Sequence, residues 1–195
     1  MSALGEVLLD LRGILAAQGL AWYVFGAQAL VAHGVVRATQ DVDVTVRVDR
    51  DALDALVTAL SDGGFRHRYP EIAAELARDS AIVPLLHVRT GFDVDLVIAG
   101  AGLEALAVDR ATIVVLDGVP VPVVSPTDLV VMKILAGRPK DLEDVRGILT
   151  HGSVDLAEVR RLLRLFEAAL ERSDLIGVLD GVLSRSGTRG RSTRR

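Results

Sequence analysis

The sequence predicts an α/β (α+β) protein: a mixed β-sheet core flanked by helices, followed by a C-terminal helical bundle. Three observations carry this. Short valine-rich runs alternate with Leu/Ala-rich stretches before residue 125. Residues 42–48 alternate strictly between apolar and polar, as a half-buried strand does. After Ser125-Pro126-Thr127-Asp128 the spacing of apolar residues is helical throughout.

Leu4, Val7, Leu8, Leu11, Ile14 and Leu15 share one helical face, and Gly19 stops that helix. Ala21 to Phe25 reads as a short buried strand, with Gly26 as the turn after it. A short helix from Ala27 to His33 follows, ended by Gly34. On the next strand Asp41, Asp43, Thr45 and Arg47 take one face, and Val42, Val44, Val46 and Val48 the other. Asp51–Leu60 reads as a helix, Phe65–Arg68 as a short strand and Glu71–Ala77 as a helix. Ala81–Val88 and Phe92–Ile98 are expected to form a hairpin through Arg89-Thr90-Gly91. Thr112–Leu116 and Val119–Val124 flank Asp117-Gly118, a strong hairpin signal. The later helices are broken at Gly137, near Thr150–Ser153 and near Ser173, with the serines at 125, 153 and 173 read as caps. This organisation divides the chain into a sheet core (1–124), a helical region (125–183) and a basic tail (184–195) expected to be disordered.

Composition narrows the chemistry. The chain has 195 residues, half of them apolar and only 4% aromatic, so aliphatic side chains build the core. With no cysteine there is no disulfide, thiolate metal site or thiol nucleophile. The four histidines lie at scattered positions without ligand spacing. Neither a Walker A loop nor G-x-G-x-x-G nor G-x-S-x-G is present. Charges interrupt every apolar run before it reaches a membrane span, and Glu6 and Asp10 are unlike a secretory signal. A cytoplasmic protein with no membrane partner is the expectation. The net charge of −4 hides an asymmetry. Five arginines (185, 189, 191, 194, 195) lie in the last twelve residues; the body without them has 17 basic residues against 26 acidic ones, about −9. Such a tail attracts phosphates without regard to sequence.

The chemistry concentrates around Asp41-Val42-Asp43. Two carboxylates at i and i+2 of a strand point the same way and repel unless a cation lies between them. Magnesium takes carboxylate oxygens and keeps places for phosphates. A glycine-initiated helix just upstream offers backbone N–H groups. A second alternating segment supplies Asp93-Val94-Asp95, and either aspartate completes a three-carboxylate set. Asp95 is preferred because Leu96-Val97-Ile98 makes it the last polar residue before a buried run. Lysine is used only at positions 133 and 140, while arginine is the basic residue everywhere else. A lysine is a compact charge suited to a phosphate oxygen. At seven residues apart the two are read as sharing a helical face unless Gly137 and Pro139 break it, and Asp144 lies i+4 from Lys140.

Gly26-Ala27, Gly34 and Arg37-Ala38-Thr39-Gln40-Asp41-Val42-Asp43-Val44 resemble the opening motif of the DNA polymerase β-like nucleotidyltransferase superfamily. The resemblance implies that Asp41, Asp43 and Asp95 bind Mg²⁺ and that Gly26 and Ala27 meet the triphosphate. It departs from the pattern at Ala27, where the family has Gly or Ser. Arg138-Pro139-Lys140-Asp141, with Lys133 upstream, resembles the later motifs of AbiEii-type toxins, including the MenT group. By that resemblance Lys133 and Lys140 hold phosphates, and Asp141 supports the pocket or assists proton transfer. Arg37 is read from the residues either as a phosphate ligand or as a partner of Asp41 in the absence of metal. The implied activity is transfer of NMP from an NTP, with CTP or UTP as donor, to the 3′ end of tRNA, in a toxin that blocks aminoacylation and has a separate antitoxin protein. A small-molecule acceptor of the aminoglycoside type, or a nucleotide-binding domain without turnover, are the alternatives. Thr39, two residues before the carboxylate pair, is a candidate for regulatory phosphorylation, which adds about −1.5 to −2 charges.

Overall fold

A computed structural model describes residues 1–73 and 81–187. It divides into two compact units: Met1–Ala32 with Arg37–Ser125, and His33–Val36 with the chain from Pro126 onward. The first unit holds a seven-stranded mixed sheet, and eight α-helices are found among the described residues.

Helix α1 (Ala3–Ala17) begins on Ser2, whose hydroxyl accepts the Gly5 N–H at 3.1 Å. It buries Val7, Leu8, Leu11 and Leu15 completely, each burial worth about 1.5–3 kcal/mol. Strand β1 (Ala21–Phe25) leads straight into α2 (Gly26–Ala32), a helix of seven residues. Strand β2 (Asp41–Arg47) follows, then a 3₁₀ turn at Arg50–Ala52 and α3 (Leu53–Asp62). Strand β3 (Phe65–His67) is short. The helix expected near Glu71–Ala77 begins as a 3₁₀ turn at Pro70–Ile72, and its remainder lies outside the described residues. Strands β4 (Ile82–His87) and β5 (Phe92–Ile98) form the expected hairpin.

Helix α4 (Leu103–Arg110) was not foreseen from the sequence. Only Leu103 and Ala107 are buried along it, so its apolar face is too thin to register as a period. Arg47 clips it to β2 through Asp109 at 2.9 Å and the Ala105 carbonyl at 2.7 Å. Strands β6 (Thr112–Leu116) and β7 (Val119–Val123) close the sheet around Asp117-Gly118. Both turn residues have positive φ, +48° and +83°, as a tight hairpin turn requires.

The strand order is β3-β4-β5-β2-β1-β7-β6. β2 is antiparallel to β1 and parallel to β5, and β7 is parallel to β1. Central β2 buries Val42, Val44 and Val46 fully on one face. Its other face runs from exposed Asp41 through half-buried Asp43 to buried Thr45. The carboxylates thus sit at the exposed start of the strand, ahead of buried Thr45.

The second unit contains α5 (Pro126–Ala136), α6 (Pro139–His151), α7 (Leu156–Ala169) and α8 (Leu175–Gly187). Gly137, at φ +65°, ends α5, and Pro139 starts α6, so Lys133 and Lys140 lie on different helices and share no helical face. The cap of α7 is Asp155, accepting from Ala157 and Glu158 N–H at 3.0 Å each, instead of Ser153. A carboxylate two residues nearer the helix outcompetes the serine. Helix α8 extends to Gly187, four residues into the segment read from sequence as a tail; residues 188–195 lie outside the described residues. Among the described residues no helix is long and apolar enough to cross a membrane.

Candidate active site

The site in the first unit follows from strand register. In the parallel pair β2–β5, Asp41 lies opposite Asp93 and Asp43 opposite Asp95. Residues paired across neighbouring strands project to the same face, as do i and i+2 along each strand. Four carboxylates therefore stand as a two-by-two patch on one face of the sheet. On the other flank of β2, Asp43 pairs with Phe25, which delivers Gly26 beside it.

Gly26 has φ +62°, and a Cβ added there would lie 1.7 Å from the Asp43 Oδ2. Only glycine satisfies both conditions, because any side chain would be strained and would occupy the space beside the carboxylate. Gln28 on α2 is buried and donates through Nε2 to the Asp41 carbonyl at 3.3 Å, fixing the start of β2. The Thr39 hydroxyl donates to the Asp41 carboxylate and accepts the Asp41 N–H at 3.4 Å. Thr39 thus orients the outermost carboxylate. Ala27 and Arg37 are both half-buried.

Two residues that sequence reasoning missed complete the patch. Pro84 on β4 lies opposite Asp95, and its carbonyl accepts the Arg68 N–H at 2.9 Å. Proline has no N–H to return, so the ladder stops and β3 ends at His67. Arg68 then reaches across to β5, donating from Nη1 to Asp93 Oδ2 at 3.0 Å and from Nη2 to Asp95. No local signal marks this arginine, since the strand order β3-β4-β5 alone puts it there.

Burial holds the Asp95 carboxyl above the usual carboxylate value, with the charges of Asp41 and Asp93 adding to it and Arg68 opposing it. Among the described residues no three acidic or histidine side chains are already drawn together around a common point. Arg68 instead takes up two of the four carboxylates. The donor set nevertheless suits a hard divalent cation: all are carboxylate oxygens, level on one face, and the missing Cβ of residue 26 lets the Asp43 carboxylate pack against its backbone.

The remaining sequence-selected residues lie in the second unit. Lys133, in the last turn of α5, donates to Asp141 at 3.0 Å and to Asp144 at 2.9 Å. Arg138 donates to Asp141 through Nε at 2.5 Å and Nη2 at 3.2 Å. Asp141 is fully buried and Asp144 nearly so, on the same face of α6 as Val145 and Ile148. Burial alone would raise the Asp141 pKa. The hydrogen bonds and charges of Arg138 and Lys133 win, and hold it below the usual value. Asp144 is thus engaged by Lys133, whereas the sequence spacing suggested Lys140; Lys140 is exposed at the start of α6. A lysine from the preceding helix reaches the carboxylate from the buried side, where the pairing is less hydrated.

A mixed sheet presenting paired carboxylates on two parallel strands, beside a glycine that ends the first strand, is the core of a nucleotidyltransferase. The chain belongs to the family of nucleotidyltransferases of unknown function DUF6036, whose model matches residues 3–174. No curated protein matches the sequence. Among solved structures, the chain is similar to the antibiotic-resistance factor ANT(2″)-Ia in solution, at 17% identity and a TM-score of 0.58, over 88% of this chain and 97% of that one. It is similarly related to ANT(2″)-Ia in complex with adenylyl-2″-tobramycin, at 16% identity and a TM-score of 0.56, over 84% and 97% of the two chains. These likenesses establish the fold, and the family establishes an enzyme whose substrate is a nucleoside triphosphate.

Proposed function

We propose that the protein transfers NMP from an NTP to the 3′-terminal hydroxyl of tRNA, with release of pyrophosphate, and that Asp41, Asp43 and Asp95 hold the Mg²⁺ this requires. The register that sets Asp43 across from Asp95 carries the proposal. When bound, the cation acidifies the attacking hydroxyl and neutralises charge on the leaving pyrophosphate. Asp95, across from Asp43, helps activate the acceptor hydroxyl. Gly26 and Ala27 bring backbone close to the triphosphate, and Arg37 supplies charge to it; a phosphate role for exposed Lys140 rests on the AbiEii/MenT resemblance alone. Lys133, committed to Asp141 and Asp144, keeps the Arg138–Asp141 turn in shape.

The RNA acceptor, a pyrimidine donor, the toxin role and a cognate antitoxin rest on the AbiEii/MenT resemblance. The five arginines between residues 185 and 195 agree with an RNA partner. Phosphorylation of Thr39 would set a dianion beside Asp41 and oppose nucleotide binding; a Thr39→Glu variant of undiminished activity would contradict that regulation.

A cationic small-molecule acceptor is the second reading. The acidic patch favours it, because four carboxylates on one face carry more negative charge than Arg68 can offset. ANT(2″)-Ia, of the same fold, is described with adenylyl-2″-tobramycin. The test is incubation with Mg²⁺ and each labelled NTP, with total tRNA in one arm and aminoglycosides in another. Label on the RNA 3′ end supports the first reading. Label on the aminoglycoside alone replaces it with the second.

A further inference from the structure

Arg68 is placed unusually for a surface arginine. Its backbone is anchored to Pro84, in the row that continues through Asp95 to Asp43. Its side chain is mostly covered, at 22% exposure, and its guanidinium carbon lies 5.9 Å from the Tyr69 ring centroid. Two of its nitrogens serve Asp93 and Asp95. Its Nε is buried without a hydrogen-bond partner among the described residues. An arginine with a purely architectural role normally satisfies all its buried donors. Here a donor is left over and the acceptors are two carboxylates of one acidic patch.

We propose that Arg68 is an internal counter-cation that competes with the divalent ion for Asp95, so that loading the site means exchanging the guanidinium for the metal. This rests on the reading of Asp95 as a metal ligand. With the site unloaded, Arg68 neutralises the β5 pair and holds Asp95 away from Asp43. On loading, Asp95 turns to the cation, while Asp93 retains Arg68 and keeps it out of the way. Asp93 thereby has a role that requires no contact with substrate. The exchange makes the assembled site depend on divalent-ion concentration. Repulsion between a guanidinium and a dication a few ångströms apart is large enough to matter, even partly screened.

The test is Mn²⁺ binding to the whole protein, followed by calorimetry without nucleotide, for wild type, Arg68→Gln, Arg68→Lys and Asp43→Asn. Competition predicts that Arg68→Gln binds Mn²⁺ about tenfold more tightly than wild type. Arg68→Lys, which keeps the charge but loses the two-pronged grip, falls between them. Without metal, Arg68→Gln melts earlier than wild type, and Mn²⁺ raises its melting temperature by more. Mn²⁺ affinity that is equal or weaker in Arg68→Gln, with Asp43→Asn still abolishing binding, overturns the exchange and leaves the metal site standing. Mn²⁺ binding that is unaffected by Asp43→Asn, or absent from wild type at millimolar concentration, overturns the carboxylate site itself. If Arg68→Gln does not fold, Arg68→Lys decides between tighter and unchanged affinity.

Discussion

Asp43 on β2 and Asp95 on β5 face each other in register across a parallel strand pair, each with a second aspartate two residues before it and level with its neighbour's. Parallel pairing makes this possible, because both strands then present their acidic ends at the same edge of the sheet. In a fully overlapped antiparallel pair the two acidic strand starts would lie at opposite edges. The four groups are nonetheless unequal. Asp95 is the more covered of the β5 pair, at 38% exposure against 47% for Asp93, and is the one opposite Asp43.

That inequality separates two substitutions. Asp95→Asn should lower kcat/KM by about 10²–10³-fold, the loss expected when several kcal/mol of metal-borne stabilisation disappears. Asp93→Asn should stay within about tenfold of wild type, since it removes no proposed ligand. Steady-state kinetics on both variants settles the matter, and equal losses would make Asp93 a ligand too.

Gly26 gives a steric prediction. Gly26→Ala places a methyl where Asp43 Oδ2 now sits, at φ +62°. The backbone strain costs about 1–2 kcal/mol. The displaced carboxylate should cost more, about 10²-fold in transfer, as misplacement of a reacting group by an ångström does. A thermal melt alongside the assay should show a folded protein with a modest loss of stability.

The two lysines, indistinguishable by pattern, should behave oppositely. Lys133→Ala removes the ammonium shared by the buried Asp141 and Asp144, and leaves Arg138 to hold Asp141. Breaking a buried pair from one side costs about 3–5 kcal/mol. Lys140→Ala, on an exposed residue, should leave stability within about 0.5 kcal/mol and raise the KM for NTP. Chemical denaturation and NTP titration of the same two variants read both effects.

Acid sensitivity follows from Asp141. Its folded-state pKa lies below the unfolded value, so the charged form favours the fold. This contribution is complete above the unfolded pKa of about 3.9 and is lost as pH falls through the folded value. Asp141→Asn should therefore melt lower than wild type at pH 7, with the gap narrowing as the pH approaches 3. A gap that widens in acid would reverse the assignment.

How much of this was legible in the sequence depends on the range of the interactions. Alternation marked β2, Asp117-Gly118 marked the β6–β7 hairpin, and Gly26 with Asp41 and Asp43 stood out as a group. Each is decided within a few residues of chain. Helix α4 was missed because it buries too little to pattern. Arg68 and Pro84 were missed because their meaning lies across two strands, in a row that only the folded sheet assembles. The Lys133–Asp144 pairing was misjudged for a related reason: i,i+4 spacing favours Lys140, but the break at Gly137 lets α5 supply the nearer ammonium.

The most direct test of the central claim is nucleotidyl transfer by wild type and Asp41→Ala, each incubated with Mg²⁺, every labelled NTP in turn, total tRNA and a panel of aminoglycosides. The carboxylate account predicts covalent label on an acceptor with at least one nucleotide, pyrophosphate released in equal amount, and loss of both in Asp41→Ala. Transfer that survives Asp41→Ala undiminished would contradict it.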